Sequence, residues 1–173
     1  MRNCLLLLLL LMPVPAQAAL PWQHYRLDVS LKIPDGWKII QGPVMLHLDP
    51  KQRMQGERRP KFGLTWQQAP PTLDEFQSQV SASIAKSGGT LLAAQKLKIS
   101  GYPAIRLRAR MPEKVFQFTT ELILIRVDAY AGYLITTESM QVDTAAADPI
   151  FVQILASLKV GPRPRAKSLK VQN

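Results

Sequence analysis

Apolar residues recur at every second position in several stretches of the chain, which predicts β-strands with one buried face and one exposed face. In the first stretch, 25–33, polar residues alternate with Leu27, Val29, Leu31 and Ile33. Further segments of this kind lie at 44–48, 62–66, 91–99, 104–111, 115–127 and 133–139. Because short turns separate the later segments, neighbouring strands are expected to be antiparallel.

The first strand is followed by the turn sequence Pro34-Asp35-Gly36 and then by Trp37. Proline presets the backbone for a turn, and glycine tolerates the positive φ angle that many turns require. Trp37 has apolar neighbours, so we predict that it packs in the core at the end of the sheet. A ligand-binding role for this corner is not favoured.

Two segments have the apolar spacing of amphipathic helices. The first begins with the capping box formed by Thr72 and Glu75, and Gly88-Gly89 ends it. The second is predicted to begin with Asp148 as its N-cap and Pro149 at its first position. The apolar stripes consist of Leu73, Phe76, Val80 and Ile84 in the first helix, and of Ile150, Phe151, Ile154, Leu155 and Leu158 in the second.

The element order is three strands, a helix, four strands and a helix, which predicts an α+β domain. Its mainly antiparallel sheet of about seven strands would be packed by the two amphipathic helices. Residues 1–18 are predicted to be a cleaved signal peptide, because Arg2 precedes a short apolar run and Ala16-Gln17-Ala18 suits signal peptidase. We expect a single domain over 19–161 and a basic, disordered tail over 162–173.

The apolar run of the leader is too short to span a bilayer, so we expect an exported, periplasmic protein and not a transmembrane one. Cys4 is the only cysteine, and it precedes that run, so the chain does not have the pattern of a lipoprotein. Without Cys4 the exported chain would have no thiol for a disulfide, a nucleophile or a metal site.

Positive charge is the main clue to partners. The full chain has a formal net charge of +10, and removal of residues 1–18 would leave +9. Arg106, Arg108 and Arg110 share one face of a predicted strand, and Lys114 follows it. Arginines in register can bind carboxylates or phosphates through paired hydrogen bonds. The alternative is a solvated face that neighbouring carboxylates such as Glu121 and Asp128 compensate.

A second basic cluster includes Arg58, Arg59 and Lys61, together with Lys51 and Arg53, and a third lies in the tail. These clusters suit an acidic envelope protein or an anionic lipid or lipopolysaccharide surface. Stacking aromatic residues do not accompany the charges, so binding of nucleic acid is not favoured. The oligomeric state does not follow from the sequence.

The sequence contains no motif of a nucleophilic, metal-dependent or phosphate-binding enzyme. His24 and His47 are the only histidines, and neither is placed beside a second metal ligand or a serine nucleophile. We therefore expect no catalytic residues, no metal and no cofactor. A hydrolase whose site is assembled only by folding is the remaining enzymatic alternative.

Several segments resemble the Mog1/PsbP-like fold, and most of all the bacterial DcrB-like and PsbP-related exported proteins. They are LKIPDGWK, TLDEF, ISGYPAIRLRAR, GYLITTES and PIFVQILASLKV, and the resemblance covers nearly all of 25–160. It implies an assembly or accessory role without catalysis. The expected function is therefore that of an exported binding protein with an acidic envelope partner, and peripheral association with anionic lipid is the alternative.

Overall fold

A computed structural model describes residues 19–23, 27–51, 58–113 and 116–162 of the protein. The predicted signal peptide, Lys114 and the tail beyond residue 162 lie outside these residues. The strands are β1 (Ala19–Gln23), β2 (Val29–Pro34), β3 (Trp37–Gln41), β4 (Met45–Pro50), β5 (Lys61–Gln68), β6 (Thr90–Ile99), β7 (Tyr102–Glu113), β8 (Phe116–Arg126), β9 (Ala131–Met140) and β10 (Lys159–Val160). The helices are α1 (Leu73–Lys86) and α2 (Thr144–Ser157).

Seven strands form the main sheet, in the order β3-β4-β5-β9-β8-β7-β6. Every neighbouring pair is antiparallel, which confirms the predicted α+β architecture. A two-residue turn joins β6 to β7, and both of its residues, Ser100 and Gly101, have positive φ angles of 52° and 84°. Such turns match the natural twist of a hairpin, so the chain returns directly along β6.

A second sheet contains three strands in the order β1-β2-β10. The predicted opening strand belongs to this small sheet, in which β2 begins at Val29, while β3 takes the edge position of the main sheet. The change of sheet occurs at Asp35-Gly36, where Gly36 has a φ of 76°. The sequence does not predict β1 and β10, because segments of five and two residues carry too little periodicity to indicate a strand.

Helix α1 covers one face of the main sheet over β6, β7 and β8. Its predicted capping box is confirmed, since the Thr72 hydroxyl accepts from the Glu75 amide while the Glu75 carboxylate accepts from the Thr72 amide. Phe76 and Ile84 are buried on this side. Phe76 packs in a cluster with Ala69, Ile105, Leu107 and Leu124.

Helix α2 and the small sheet cover the opposite face. Trp37 is buried there and meets the ring of Phe151 edge-on at 6.1 Å between ring centres, which confirms its predicted place in the core. The predicted start of this helix at Pro149 is wrong, because α2 begins at Thr144 and contains Pro149 in its second turn. A 3-10 turn over 141–143 leads into Ala145–Ala147, which are strong helix formers.

Neither of the helices in the described part of the chain combines the length and the apolar character that a bilayer crossing requires.

Candidate functional site

Strand β7 separates its side chains onto the two faces of the sheet. Ile105, Leu107 and Ala109 are buried on the α1 side. Arg106 and Arg108 lie on the other side, beside α2, where both are half-buried, and Arg110 is exposed at the end of the strand. The two-residue period of a strand produces this division, as the sequence predicted.

Two carboxylates pair with the first two arginines. Nη2 of Arg106 donates to Oε1 of Glu121 at 2.6 Å, and Nη1 of Arg108 lies 3.5 Å from the same oxygen. Nη2 of Arg108 donates to Oδ2 of Asp148 at 2.5 Å. The Glu121 side chain is only 5% exposed, whereas the side chains of Arg106 and Arg108 are 31% and 30% exposed. Burying a carboxylate this deeply costs free energy unless it is paired and hydrogen-bonded, and the two arginines supply these contacts.

The strand register explains the contact with Glu121, because Arg108 lies directly opposite Glu121 on β8. Asp148 was not foreseen as a partner, since its position before Pro149 indicated a helix cap. Its side chain instead joins the first half of α2 to β7 across 40 residues of sequence. One feature of the sequence points to a partner such as Asp148: the neighbouring strand has too few carboxylates to pair with both arginines.

An open cleft of about 210 Å³ lies next to these ion pairs, lined by Ala93, Gln95, Arg106, Arg108 and Glu121. The Nε–H groups of both arginines and Nη1 of Arg106 donate to no acceptor in the described part of the chain. The cleft therefore presents unused guanidinium donors at the edge of the sheet, beside the small side chain of Ala93.

The other predicted basic residues gather at one end of the main sheet, in a cluster that we call the basic rim (Arg58, Arg59, Lys61 and Arg110). In the strand register Arg110 lies opposite Thr119, and Thr119 lies opposite Ser139. Lys61 lies opposite Glu138, the residue next to Ser139. Three strand spacings therefore separate the backbones of Arg110 and Lys61, which is roughly 14 Å.

Arg58 contacts two neighbouring strands of the main sheet. Its guanidinium carbon lies 5.4 Å from the ring centre of Phe118 on β8, the distance of a cation–π contact. Its backbone amide lies 3.3 Å from the sulfur of Met140 on β9. Arg59, Lys61 and Arg110 form no ion pair with any side chain that the structure describes. The structure thus places basic residues about 50 positions apart in the sequence along the same end of the main sheet, with the Lys61 side chain on the α1 face and the Arg110 side chain on the opposite face.

Tyr133 is a buried polar residue that the sequence did not single out. It is completely buried in the core, edge-on to Trp66 at 4.8 Å between ring centres, and its hydroxyl has no hydrogen-bond partner among the described residues. Burial, followed by the negative charge of Asp28, raises the pKa of Tyr133 to about 12. Tyr133 does not line the cleft beside Arg106 and Arg108, so we do not assign it to that site.

A second, largely apolar cleft of about 180 Å³ lies between α1 and the sheet. Its lining residues are Val80, Ser83, Ile84, Ala109, Met111, Thr120 and Leu122. Ser83 and Thr120 are the only hydrogen-bonding side chains among them. Among the described residues there is no cluster of three or more histidine, cysteine, aspartate or glutamate side chains that could hold a metal ion.

Solved structures of known proteins share this architecture. LpqN of Mycobacterium tuberculosis, which is involved in cell envelope biogenesis, is 12% identical at a TM-score of 0.62, over 85% of this chain and 92% of LpqN. The Ran-binding protein Mog1p of Saccharomyces cerevisiae is 10% identical at a TM-score of 0.60, over 84% of this chain and 96% of Mog1p. Cyanobacterial PsbP (CyanoP) of Synechocystis sp. PCC 6803 is 13% identical at a TM-score of 0.56, over 87% of this chain and 96% of CyanoP.

Neither a protein-family model nor a curated protein matches the sequence. The shared architecture nevertheless covers nearly the whole of each solved structure. The protein therefore has the Mog1/PsbP-like fold, as the sequence resemblance implied. At these identities the likeness establishes the fold, and the function must be argued from this chain's own residues.

Proposed function

We propose that the protein is an exported, non-enzymatic binding protein whose partner is an acidic protein of the cell envelope. The observation that carries this proposal is the basic rim, in which folding assembles Arg58, Arg59, Lys61 and Arg110 at one end of the sheet. Complementary charge of this kind speeds the encounter of two proteins and selects an acidic partner over a basic one.

Ion pairing divides the predicted binding residues into two groups. Arg106 and Arg108 are largely compensated by Glu121 and Asp148. Arg59, Lys61 and Arg110 have no such compensation among the described side chains, so they are the cations that remain for a partner. We therefore place the main electrostatic contact at the basic rim, and Arg106 and Arg108 beside it.

The solved relatives agree with a binding role in the envelope. LpqN is involved in cell envelope biogenesis, and Mog1p is a Ran-binding protein. The roles of these two proteins are consistent with an accessory protein of this fold that binds another protein.

The proposed export rests on residues 1–18, which lie outside the described part of the chain. It is compatible with the fold, because the described strand β1 follows the predicted cleavage site and all five of its residues pair with β2. The processed protein would lie in the periplasm.

The proposal is tested by pull-down from envelope extract with tagged protein, at low and at high salt. The test variant reverses the rim charges by Arg59→Glu, Lys61→Glu and Arg110→Glu. The matched control reverses three exposed lysines elsewhere, by Lys32→Glu, Lys38→Glu and Lys159→Glu. Both variants carry the same net charge, so a difference in capture cannot come from net charge alone.

We expect one acidic protein to be captured by the wild type and by the control, and to be lost from the rim variant. Salt should weaken the capture, because it screens exposed charges. Equal loss from both variants, with phospholipid or lipopolysaccharide as the bound material, would replace the proposal by peripheral association with anionic lipid. Turnover of an ester or phosphate substrate by the wild type would replace it by the hydrolase alternative.

A further inference from the structure

Strand β6 is an unusually long free edge. It is the last strand of the main sheet and has ten residues, whereas β3 at the opposite edge has five. Most of its side chains are exposed, and among the described residues β7 is the only strand that pairs with it. Proteins usually shorten or cover such an edge, because its unpaired backbone groups can bind another strand.

The hairpin geometry identifies which backbone groups are free. A two-residue turn makes Ile99 and Tyr102 a hydrogen-bonded pair, and in antiparallel strands such pairs alternate with pairs that form no bond. Lys98, Lys96 and Ala94 therefore direct their N–H and C=O groups away from β7. Pro103, which has no N–H group, lies opposite Lys98 as this alternation requires.

The irregularity in β6 leaves this edge usable. The register shifts between Leu91 and Ala93, which places a bulge near the start of the strand. From Ala93 to Ile99 the pairing is regular. An incoming strand would thus find three residues with free backbone groups in one regular run, which is enough for a short peptide to bind by strand addition.

The charges beside this edge indicate what kind of strand would bind. Together β6 and β7 contain five lysine and arginine residues, and their sequences include a single acidic residue, Glu113. Lys96 pairs with Asp74 at 2.7 Å, but both side chains are mostly exposed. Lys98 and Arg110 have no ion pair among the described side chains.

We propose that β6 is the docking edge for an extended acidic segment of the partner, which adds to the main sheet as an eighth strand. This inference rests on the proposed function and specifies how the acidic partner is held. Alternate carboxylates of the added strand would face the cleft that holds Arg106 and Arg108, while the intervening residues would lie on the side of Lys96 and Lys98.

The spacing of the strands permits these contacts. An added strand would lie about 4.8 Å from β6 and about 10 Å from β7. Ala93 and Gln95 lie between the added strand and the arginines. The side chain of Ala93 is too small to keep a glutamate of the added strand from the guanidinium groups. The unused Nε–H donors of Arg106 and Arg108 would then find an acceptor without breaking their bonds to Glu121 and Asp148.

The test uses a capped seven-residue peptide in which threonine and glutamate alternate. Two control peptides replace glutamate by lysine or carry N-methyl groups on alternate backbone amides. The test variant is Ala94→Pro, which removes one outward N–H group and leaves the charge unchanged, and proline is tolerated at such edge positions. Ala94→Ser is its matched control, and circular dichroism confirms that both variants fold.

We expect the peptide to slow hydrogen exchange at the amides of Ala94, Lys96 and Lys98, and not at those of Gln95 and Leu97, which already bond to β7. Ala94→Pro should weaken binding about fivefold, the typical effect of one hydrogen bond, and Ala94→Ser should not. The N-methylated and lysine peptides should not bind.

Binding that survives both Ala94→Pro and N-methylation would overturn the edge inference. Concentration-dependent protection of these amides without peptide would overturn it as well, because a second copy of the chain would then occupy the edge. Neither result would affect the proposed function, which the capture experiment with the rim variant and its control tests separately.

Discussion

Glu121 offers the sharpest test of how the arginine face is built. Its carboxylate is 5% exposed and accepts a 2.6 Å hydrogen bond from Arg106, with Arg108 at 3.5 Å. Glu121→Gln keeps the shape of the side chain and removes its charge. Arg106 then loses its ion pair, and Arg108 keeps only Asp148.

The expected cost follows from these contacts. A hydrogen bond to a charged group contributes about 1.5–3 kcal/mol. Because each arginine is nearly one-third exposed, solvent screens part of this interaction, and the glutamine can still accept one bond. We therefore expect the free energy of unfolding to fall by about 2 kcal/mol, which corresponds to a decrease in Tm of roughly 6 °C for a domain of this size.

The assay is urea and thermal unfolding followed by circular dichroism. Glu138→Gln is the matched control, because Glu138 is half-buried on the adjacent strand β9 and has no ion pair among the described side chains. It should change the unfolding free energy by less than about 0.5 kcal/mol. A double-mutant cycle with Arg106→Gln should give a coupling energy of about 1 kcal/mol or more. Equal effects of the two glutamate variants, or additive effects in the cycle, would refute the reasoning.

Two further predictions concern the core and the helix cap. The pKa of Tyr133 rises from 10.0 to about 12 on folding, so the folded state holds the phenolic proton more tightly than the unfolded state. The contribution of this proton to the free energy of unfolding is therefore complete below pH 10 and is lost between pH 10 and about 12. Tyr133→Phe should leave the free energy of unfolding at pH 7 nearly unchanged, because the hydroxyl has no partner among the described residues. It should reduce the loss of stability above pH 10 by roughly 3 kcal/mol at most, and urea unfolding at both pH values measures this. Thr72→Ala should lower the free energy of unfolding by about 1 kcal/mol, because the capping box is lost. The control Ser78→Ala, at an exposed position in the middle of α1, should not lower it. Equal melting curves for these two variants would contradict the role of the cap.

The local pattern of the sequence determined most of the elements. The two-residue period identified strands β4 to β9 to within a few residues, because one face of each strand must be apolar to pack. The capping box located the start of α1, since its two hydrogen bonds join residues only three apart. The burial of Trp37 followed from its apolar neighbours. In each case the cause lies within one element, so a short window of sequence contains it.

Tertiary structure alone decided the ion pairs and the edges. Asp148 has the local features of an N-cap, yet it lies inside α2 and pairs with Arg108, 40 residues away. Strands β1 and β10 exist because β2 offers them a partner, and β6 is a free edge because of the strand order. The basic rim depends on the register of four strands. Contacts between distant residues depend on how whole elements pack, and a local pattern cannot encode that.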